Sequence, residues 1–282
     1  MGDYIEIQFE NVSTEQKEIV IALLNELNYE GFEESDDSLK AFIPVDEYNE
    51  EELTTLTKEH KLSFSALKID NKNWNEEWES NFHPVVIPHL VNNTPWVAIR
   101  AGFHQLIKDV DHEIIITPKM SFGTGHHATT SMMMKMMSEL NLTGKSVLDF
   151  GTGTGVLAIL SEKLAASKII AIDNDDWSIE NARENFELNH CSKIKLLKTS
   201  TADVDNKFDF ILANIVKMVI LDNLTAFTKQ LVEGGTVLLS GLLSDDEPDV
   251  LNAATENHLI LKKKIEEKNW VCLQLVYKPA AI

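Results

Sequence analysis

The sequence predicts a two-part α/β protein: a small α+β domain first, then a larger doubly wound sheet of mostly parallel strands. Three observations predict it. Across residues 1–70 the apolar pattern switches between period two and helical spacing in the order strand, helix, strand, helix, strand. Beyond Trp96, strand-like and helix-like segments alternate, as parallel strands joined by helical crossovers require. Within that second series VLDFGTGTG, residues 147–155, runs an apolar strand into a glycine-dense turn, and VLAILSEKL continues as a helix.

The elements follow in order. YIEIQFENV alternates as a strand, and TEQKEIVIALLNELNY spaces its apolar residues helically behind Ser13 or Thr14 as N-cap. LKAFIPV is a strand, NEEELTTLTKEH a polar-faced helix and FSALKI a strand, an order that suggests a ferredoxin-like domain over residues 1–70. NWNEEWESNF reads as a helix with Trp74 and Trp78 on one side. Pro84, Pro88 and Pro95 then argue against a long helix, so residues 71–95 read as a connector that partly packs on the next domain. In residues 96–282, WVAIRAG and EIIITP lead in as strands. HATTSMMMKMMSEL is a helix whose Met132, Met133, Met134, Met136 and Met137 read as core. SVLDF, KIIAID, KIKLLK, FDFILAN and TVLLSG are strands, and LILKKKIEEKNWVCLQLVYK closes the chain as an antiparallel pair turning near Lys268 and Asn269.

Composition narrows the function classes. With 282 residues and 44% hydrophobic side chains the chain can bury a full core. No apolar stretch approaches the ~20 residues of a spanning helix, and MGDYIEIQFE resembles no secretory leader, so a cytoplasmic protein without a membrane role is expected. Cys191 and Cys272 are too few for a disulfide framework and read as reduced and structural. The net charge of −20 is unevenly spread: residues 1–60 hold 17 acids against Lys17, Lys40 and Lys58, a balance of −14. Such a surface repels nucleic acid and steers a basic protein toward it.

The chemistry gathers on three segments. Gly151, Gly153 and Gly155 allow positive φ and close ligand approach where a strand turns into a helix. Asp173 ends KIIAID 22 positions after Gly151, placed to accept hydrogen bonds from both ribose hydroxyls of an adenosine. The spacing is G-x-G-x-G behind Asp149, not the G-x-G-x-x-G of dinucleotide sites, and it favours S-adenosylmethionine over NAD. SFGTGHHATTS, residues 121–131, is a second glycine-bearing loop opening a helix. Its amides and the Thr129 and Thr130 hydroxyls are candidates to hold the cofactor's methionine carboxylate, although Thr129 is equally a candidate N-cap. Asn214 ends FDFILAN, where its carbonyl can accept from a substrate amine and align the lone pair with the methyl group. No carboxylate or third histidine stands at ligand spacing beside His126 and His127, so no metal is expected.

Together FGTGHHATT, VLDFGTGTGVLAI, AIDNDDWSIENARENFELN, FDFILANI, LLSGLL, the late KNW and the upstream NWNEEWESNFHPV resemble the methyltransferases of large-subunit ribosomal protein L11, over residues 71–282 by motif. The resemblance implies a class I methyltransferase fold that binds S-adenosylmethionine, with an N-terminal substrate-recognition domain on a mobile connector. It implies that Thr130, Gly151, Asp173 and Asn214 touch the cofactor, and that Phe122, Gly123, Thr124 and Gly125 line its methyl end. Three departures stand out: Ala128 where the family has proline, Thr152 where it has cysteine, and Lys217-Met218 where it has Gly-Pro.

The implied reaction needs a neutral amine, because a lysine ammonium with a pKa of about 10.4 has no lone pair. Desolvation and a nearby cationic sulfonium favour the neutral form, and His126 or His127 can relay the proton to water. The expected substrate is a basic ribosomal protein, modified on lysine side chains or the α-amine; methylation of another protein or of a small molecule is the alternative.

Overall fold

The computed structural model describes residues 4–10, 12–13, 16–17, 20–21, 23–24, 27–29, 31–35, 38–59, 62–69, 82–119 and 122–279. The chain divides into two compact units, Met1–Glu77 and Trp78–Ile282. The helix read over NWNEEWESNF, with Trp74 and Trp78, lies outside the described residues.

The first unit contains β1 (Tyr4–Glu10), β2 (Gly31–Glu34), β3 (Ser38–Pro44), α1 (Glu50–Glu59) and β4 (Phe64–Ile69). Its sheet runs β2-β3-β1-β4 with every neighbouring pair antiparallel. Alternation decides the buried face: Ile5, Ile7 and Phe9 stand opposite Ile43, Ala41 and Leu39, and all six are buried. Val20 and Leu24, both helical, and Leu53 of α1 complete that core. Asn49 caps α1 by accepting from the amides of Glu51 and Glu52, and three acids in the first turn suit the helix dipole. The sequence pattern supplied only three strands here. β2 is the fourth, a four-residue edge strand whose GFEE carries too little alternation to register.

The second unit begins with a small sheet in the order β5-β6-β7: β5 (Val85–Pro88) and β6 (Pro95–Ala101) are antiparallel, β6 and β7 (His112–Ile116) parallel. β5 lies inside the stretch read as connector, and Ile87 at its centre is buried in the core of this unit. Pro84 precedes β5, and Pro88 ends it opposite Pro95 at a register shift, positions an edge strand permits.

The main sheet has seven strands in the order β10-β9-β8-β11-β12-β14-β13. They are β8 (Ser146–Phe150), β9 (Lys168–Asp173), β10 (Ile194–Lys198), β11 (Phe208–Asn214), β12 (Leu231–Leu243), β13 (Leu259–Glu267) and β14 (Trp270–Tyr277). β14 runs antiparallel between β12 and β13, and Lys268 and Asn269 make the turn with positive φ. Helices α2 (Ala128–Met137), α3 (Val156–Lys163), α4 (Asp176–Leu188), α5 (Lys217–Gln230) and α6 (Glu247–Glu256) accompany it. The central strands are buried on both faces: Val147, Ile169, Ala171 and Leu212 join one core, Leu148, Ile170, Ile172 and Ile211 the other. All five methionines of α2 are buried.

Successive strands β8, β9 and β10 step one way, and β11 is laid on the other side of β8. Such a switch point opens a crevice at the carboxyl ends of β8 and β11. The open edge of β7 and Thr117 just after it are met by side chains of α4 and of Asn189, its C-cap. Asn189 both accepts from the Ile115 amide at 3.0 Å and donates to the Ile115 carbonyl at 2.6 Å. Asn185 accepts from the Thr117 amide at 2.8 Å, and Asn181 donates to the Thr117 carbonyl at 3.2 Å.

Candidate active site

A cavity of about 440 Å³ occupies the switch-point crevice, lined by Gly151, Gly153, Asp173 and Asn214 among others. Gly151, Gly153 and Gly155 all have positive φ, as the strand-to-helix turn demands. The reason side chains are excluded differs from the one the sequence suggested. A Cβ on Gly151 would meet Ile215 at 2.3 Å, on Gly153 the Phe122 carbonyl at 2.4 Å, and on Gly155 the Phe186 ring at 2.4 Å. These glycines let protein segments close on the turn.

Asp173 faces the cavity, but much of its capacity is used. One carboxylate oxygen accepts from the amides of Asn174 and Asp175, the other from Gly153 at 2.9 Å. Of roughly four lone-pair sites on a carboxylate these three bonds occupy most, so a further donor would share an oxygen already in use. Beneath the turn, burial pushes the Asp149 carboxyl up to about 7, against the hydrogen bond it accepts from Thr152 Oγ1 at 2.6 Å. Its second oxygen has no partner.

The FGTG segment lies against the same turn. Thr154 donates its amide to the Phe122 carbonyl at 3.0 Å and its hydroxyl to the Gly123 carbonyl at 2.8 Å. Phe122 is half exposed and lines the cavity, whereas Gly123, Thr124, Gly125 and Thr130 are not among its lining residues. Gly125 is buried, where a Cβ would strike Ile99 at 2.5 Å. Helix α2 is capped by His127, not by a threonine: its ring accepts from the Thr129 amide and lies 2.8 Å from the Thr129 hydroxyl. His126 is exposed and directed away from the lining, with Nε2 donating to the His83 carbonyl at 2.9 Å and Nδ1 3.1 Å from Thr124 Oγ1.

Asn214 ends β11 at the cavity wall. Its Nδ2 donates to Thr130 Oγ1 at 3.1 Å, which fixes the amide plane. That Oδ1 is buried and has no partner. An acceptor deprived of water and left unpaired costs about 1–3 kcal/mol, a cost that a donor brought by a ligand would offset. The rest of the cavity lining divides between apolar side chains, Phe150, Ile172, Ile215 and Val219 among them, and polar ones, Asn174, Ser178, Thr199 and Ser200. That division fits a nucleoside-bearing cofactor, whose base is flat and apolar and whose sugar carries hydroxyls.

The family model described as Ribosomal protein L11 methyltransferase (PrmA) matches residues 3–278. The chain belongs to this family. Among curated ribosomal protein L11 methyltransferases it is 38% identical to that of Porphyromonas gingivalis, over 91% of this chain and 89% of that one, and 38% identical to that of Chlorobaculum parvum, over 95% of each. A crystal structure of ribosomal protein L11 methylase from Lactobacillus delbrueckii subsp. bulgaricus superposes with a TM-score of 0.61 at 33% identity, covering 69% of this chain and all of that one. The second unit thus has the class I methyltransferase fold.

In this L11 methyltransferase family member, sequence reasoning missed several cavity residues. Thr199 and Ser200 follow β10, and Gly241 interrupts β12 with a φ of 84° where a Cβ would meet the Ile215 carbonyl at 2.3 Å. Trp270 comes from the tip of the β13–β14 hairpin, and its ring stands 4.9 Å from that of His127, which in turn stands 5.4 Å from Phe122. The available signals were modest: polar residues directly after a parallel strand, a glycine inside one, and the KNW motif. No cluster of three metal-ligating side chains is present among the described residues.

Proposed function

We propose that this chain transfers methyl groups from S-adenosylmethionine to amines of ribosomal protein L11, on lysine side chains, the α-amine or both. The observation that carries the reading is Asn214, its Oδ1 unpaired, at the end of β11 in the wall of the cavity beside the glycine turn. Gly151, Gly153 and Asp173 would hold the adenosine part, with Thr129 and the amides at the start of α2 toward the amino-acid end. Of the FGTG residues, Phe122 would approach the methyl end directly, and Gly123, Thr124 and Gly125, outside the cavity lining, would act by shaping its loop. S-adenosylmethionine supplies an electrophilic methyl group on a cationic sulfonium. Asn214 Oδ1 accepts from the substrate amine and aligns its lone pair, and a neutral amine is favoured because charge is costly in this enclosed site. Phe122, His127 and Trp270 contribute rings to the cavity wall, with Phe122 half exposed at its entrance. Proton loss to water then needs no strong base.

The reading extends to the domains. Residues 1–70, a ferredoxin-like domain with its acidic surface, recognise the basic substrate; residues 71–95 are the connector and residues 96–282 carry the chemistry, in the cytoplasm and without contact to nucleic acid or membrane. No helix is long and apolar enough to cross a membrane among the described residues. The test is incubation with radiolabelled S-adenosylmethionine and total large-subunit ribosomal proteins. One labelled band at the mass of L11 is expected; label in RNA or in a small-molecule fraction alone would refute the proposal.

A further inference from the structure

Thr154 is fully buried, and every polar group it has is engaged. Its amide and hydroxyl hold the carbonyls of Phe122 and Gly123, and its carbonyl accepts from Asn185 Nδ2 at 2.8 Å. Asn185 is itself fully buried, and its other amide atom takes the Thr117 amide at 2.8 Å, at the start of the segment that leads into the FGTG loop. The two loops also fit without slack. A Cβ on Gly123 would come within 2.8 Å of Thr154 Oγ1, and one on Gly153 within 2.4 Å of the Phe122 carbonyl. No described contact of Thr154 is with the cavity itself, and it is absent from the lining residues.

We infer that Thr154 and Asn185 are positioning residues: they set the distance of the FGTG loop, and with it Phe122 at the entrance, from the glycine turn and Asn214. The inference rests on the reading of this cavity as the methyl-transfer site. Its physical basis is the steep dependence of transfer on alignment, where an error of about 1 Å costs on the order of a hundredfold. A hydroxyl that anchors one loop to another acts on turnover through that alignment and leaves the cofactor's own contacts in place.

The test compares Thr154→Val, which keeps the shape and removes the hydroxyl, with Thr154→Ser, which keeps the hydroxyl, in the full chain. Thr154→Val is expected to lower kcat for L11 about tenfold or more, while the calorimetric affinity for S-adenosylmethionine and the KM for L11 stay within about twofold. Thr154→Ser is expected to stay within about threefold of wild type in kcat. Thr154→Ala, which removes the hydroxyl without adding a buried charge, provides the same measurement should the valine variant not fold. Wild-type kcat in Thr154→Val, a serine variant as slow as the valine, or cofactor affinity falling in step with kcat would each overturn the inference. Failure of the wild-type chain to methylate L11 at all would instead count against the proposed function.

Discussion

Replacing Asn214 by alanine separates stability from turnover. The side chain makes one hydrogen bond, 3.1 Å to Thr130 Oγ1, and buries one acceptor without a partner. Losing the bond removes about 1 kcal/mol, and removing an unpaired buried acceptor relieves a cost of about 1–3 kcal/mol. The space vacated by the amide adds back about 1 kcal/mol of destabilisation, so the balance lies within about 1 kcal/mol of zero. For a unit of this size the thermal midpoint should move by no more than about 4 °C. Turnover responds differently, because the acceptor is where the amine is aligned: a loss of about a hundredfold in kcat is expected, with a much smaller change in cofactor affinity. Thermal unfolding, calorimetry with S-adenosylmethionine and initial rates on L11 make the comparison. Destabilisation beyond about 3 kcal/mol would make Asn214 a structural cap of β11. Equal losses in affinity and kcat would make it a cofactor contact.

Three further outcomes are expected. Asp173→Ala should weaken S-adenosylmethionine binding by about 2 kcal/mol, the worth of one bond to a carboxylate, and should lower the thermal midpoint because three backbone amides lose their acceptor; unchanged affinity in calorimetry would remove Asp173 from the site. Asp149 ionises near 3.8 when unfolded but holds its proton to about 7 when folded, so the native state binds more protons across that window and the group's contribution declines as pH rises through it. Asp149→Asn should therefore lose less stability than wild type between pH 5 and 8, and parallel melting curves would contradict that ionisation. A chain beginning at Phe82, which keeps the buried Ile87 that a cut at Trp96 would delete, should bind the cofactor yet lose L11, while salt slows association of the full chain with L11. Equal methylation by the short and full chains at low salt would leave the acidic domain no part in recognition.

The strands that build the site were legible because burial on both faces makes them continuous apolar runs, and glycine clusters at their ends announce the turns. β2 was not, since four residues at a sheet edge need almost no pattern, and β5 was hidden by prolines that an edge strand tolerates. Gly151, Asp173 and Asn214 were legible at the cavity because each ends or follows a recognisable strand. Trp270 at the start of β14, Thr199 after β10 and Gly241 within β12 are far apart in the chain, and only the strand order gathers them. The glycines show the difference most clearly: composition reveals that a Cβ is excluded, but only the fold reveals that Ile215, Phe122 and Phe186 exclude it. His127 as N-cap has the same character, for histidine is not among the residues that ordinarily signal a helix start.

The amides that α4 extends to β7 carry an arithmetic consequence. Four residues of helix rise about 6.0 Å, and two residues of strand about 6.6 Å, so Asn189 and Asn185 meet Ile115 and Thr117 like adjacent marks on two rulers of nearly equal scale. The mismatch grows by about 0.6 Å per rung, which confines such a ladder to two or three rungs. It also makes the segment from Asn181 to Asn189 incompressible: one residue inserted there swings the next amide by about 100° and off the strand edge. Length variation in relatives should therefore fall before Asp176 or after Asn189, where α4 keeps no count with its neighbour.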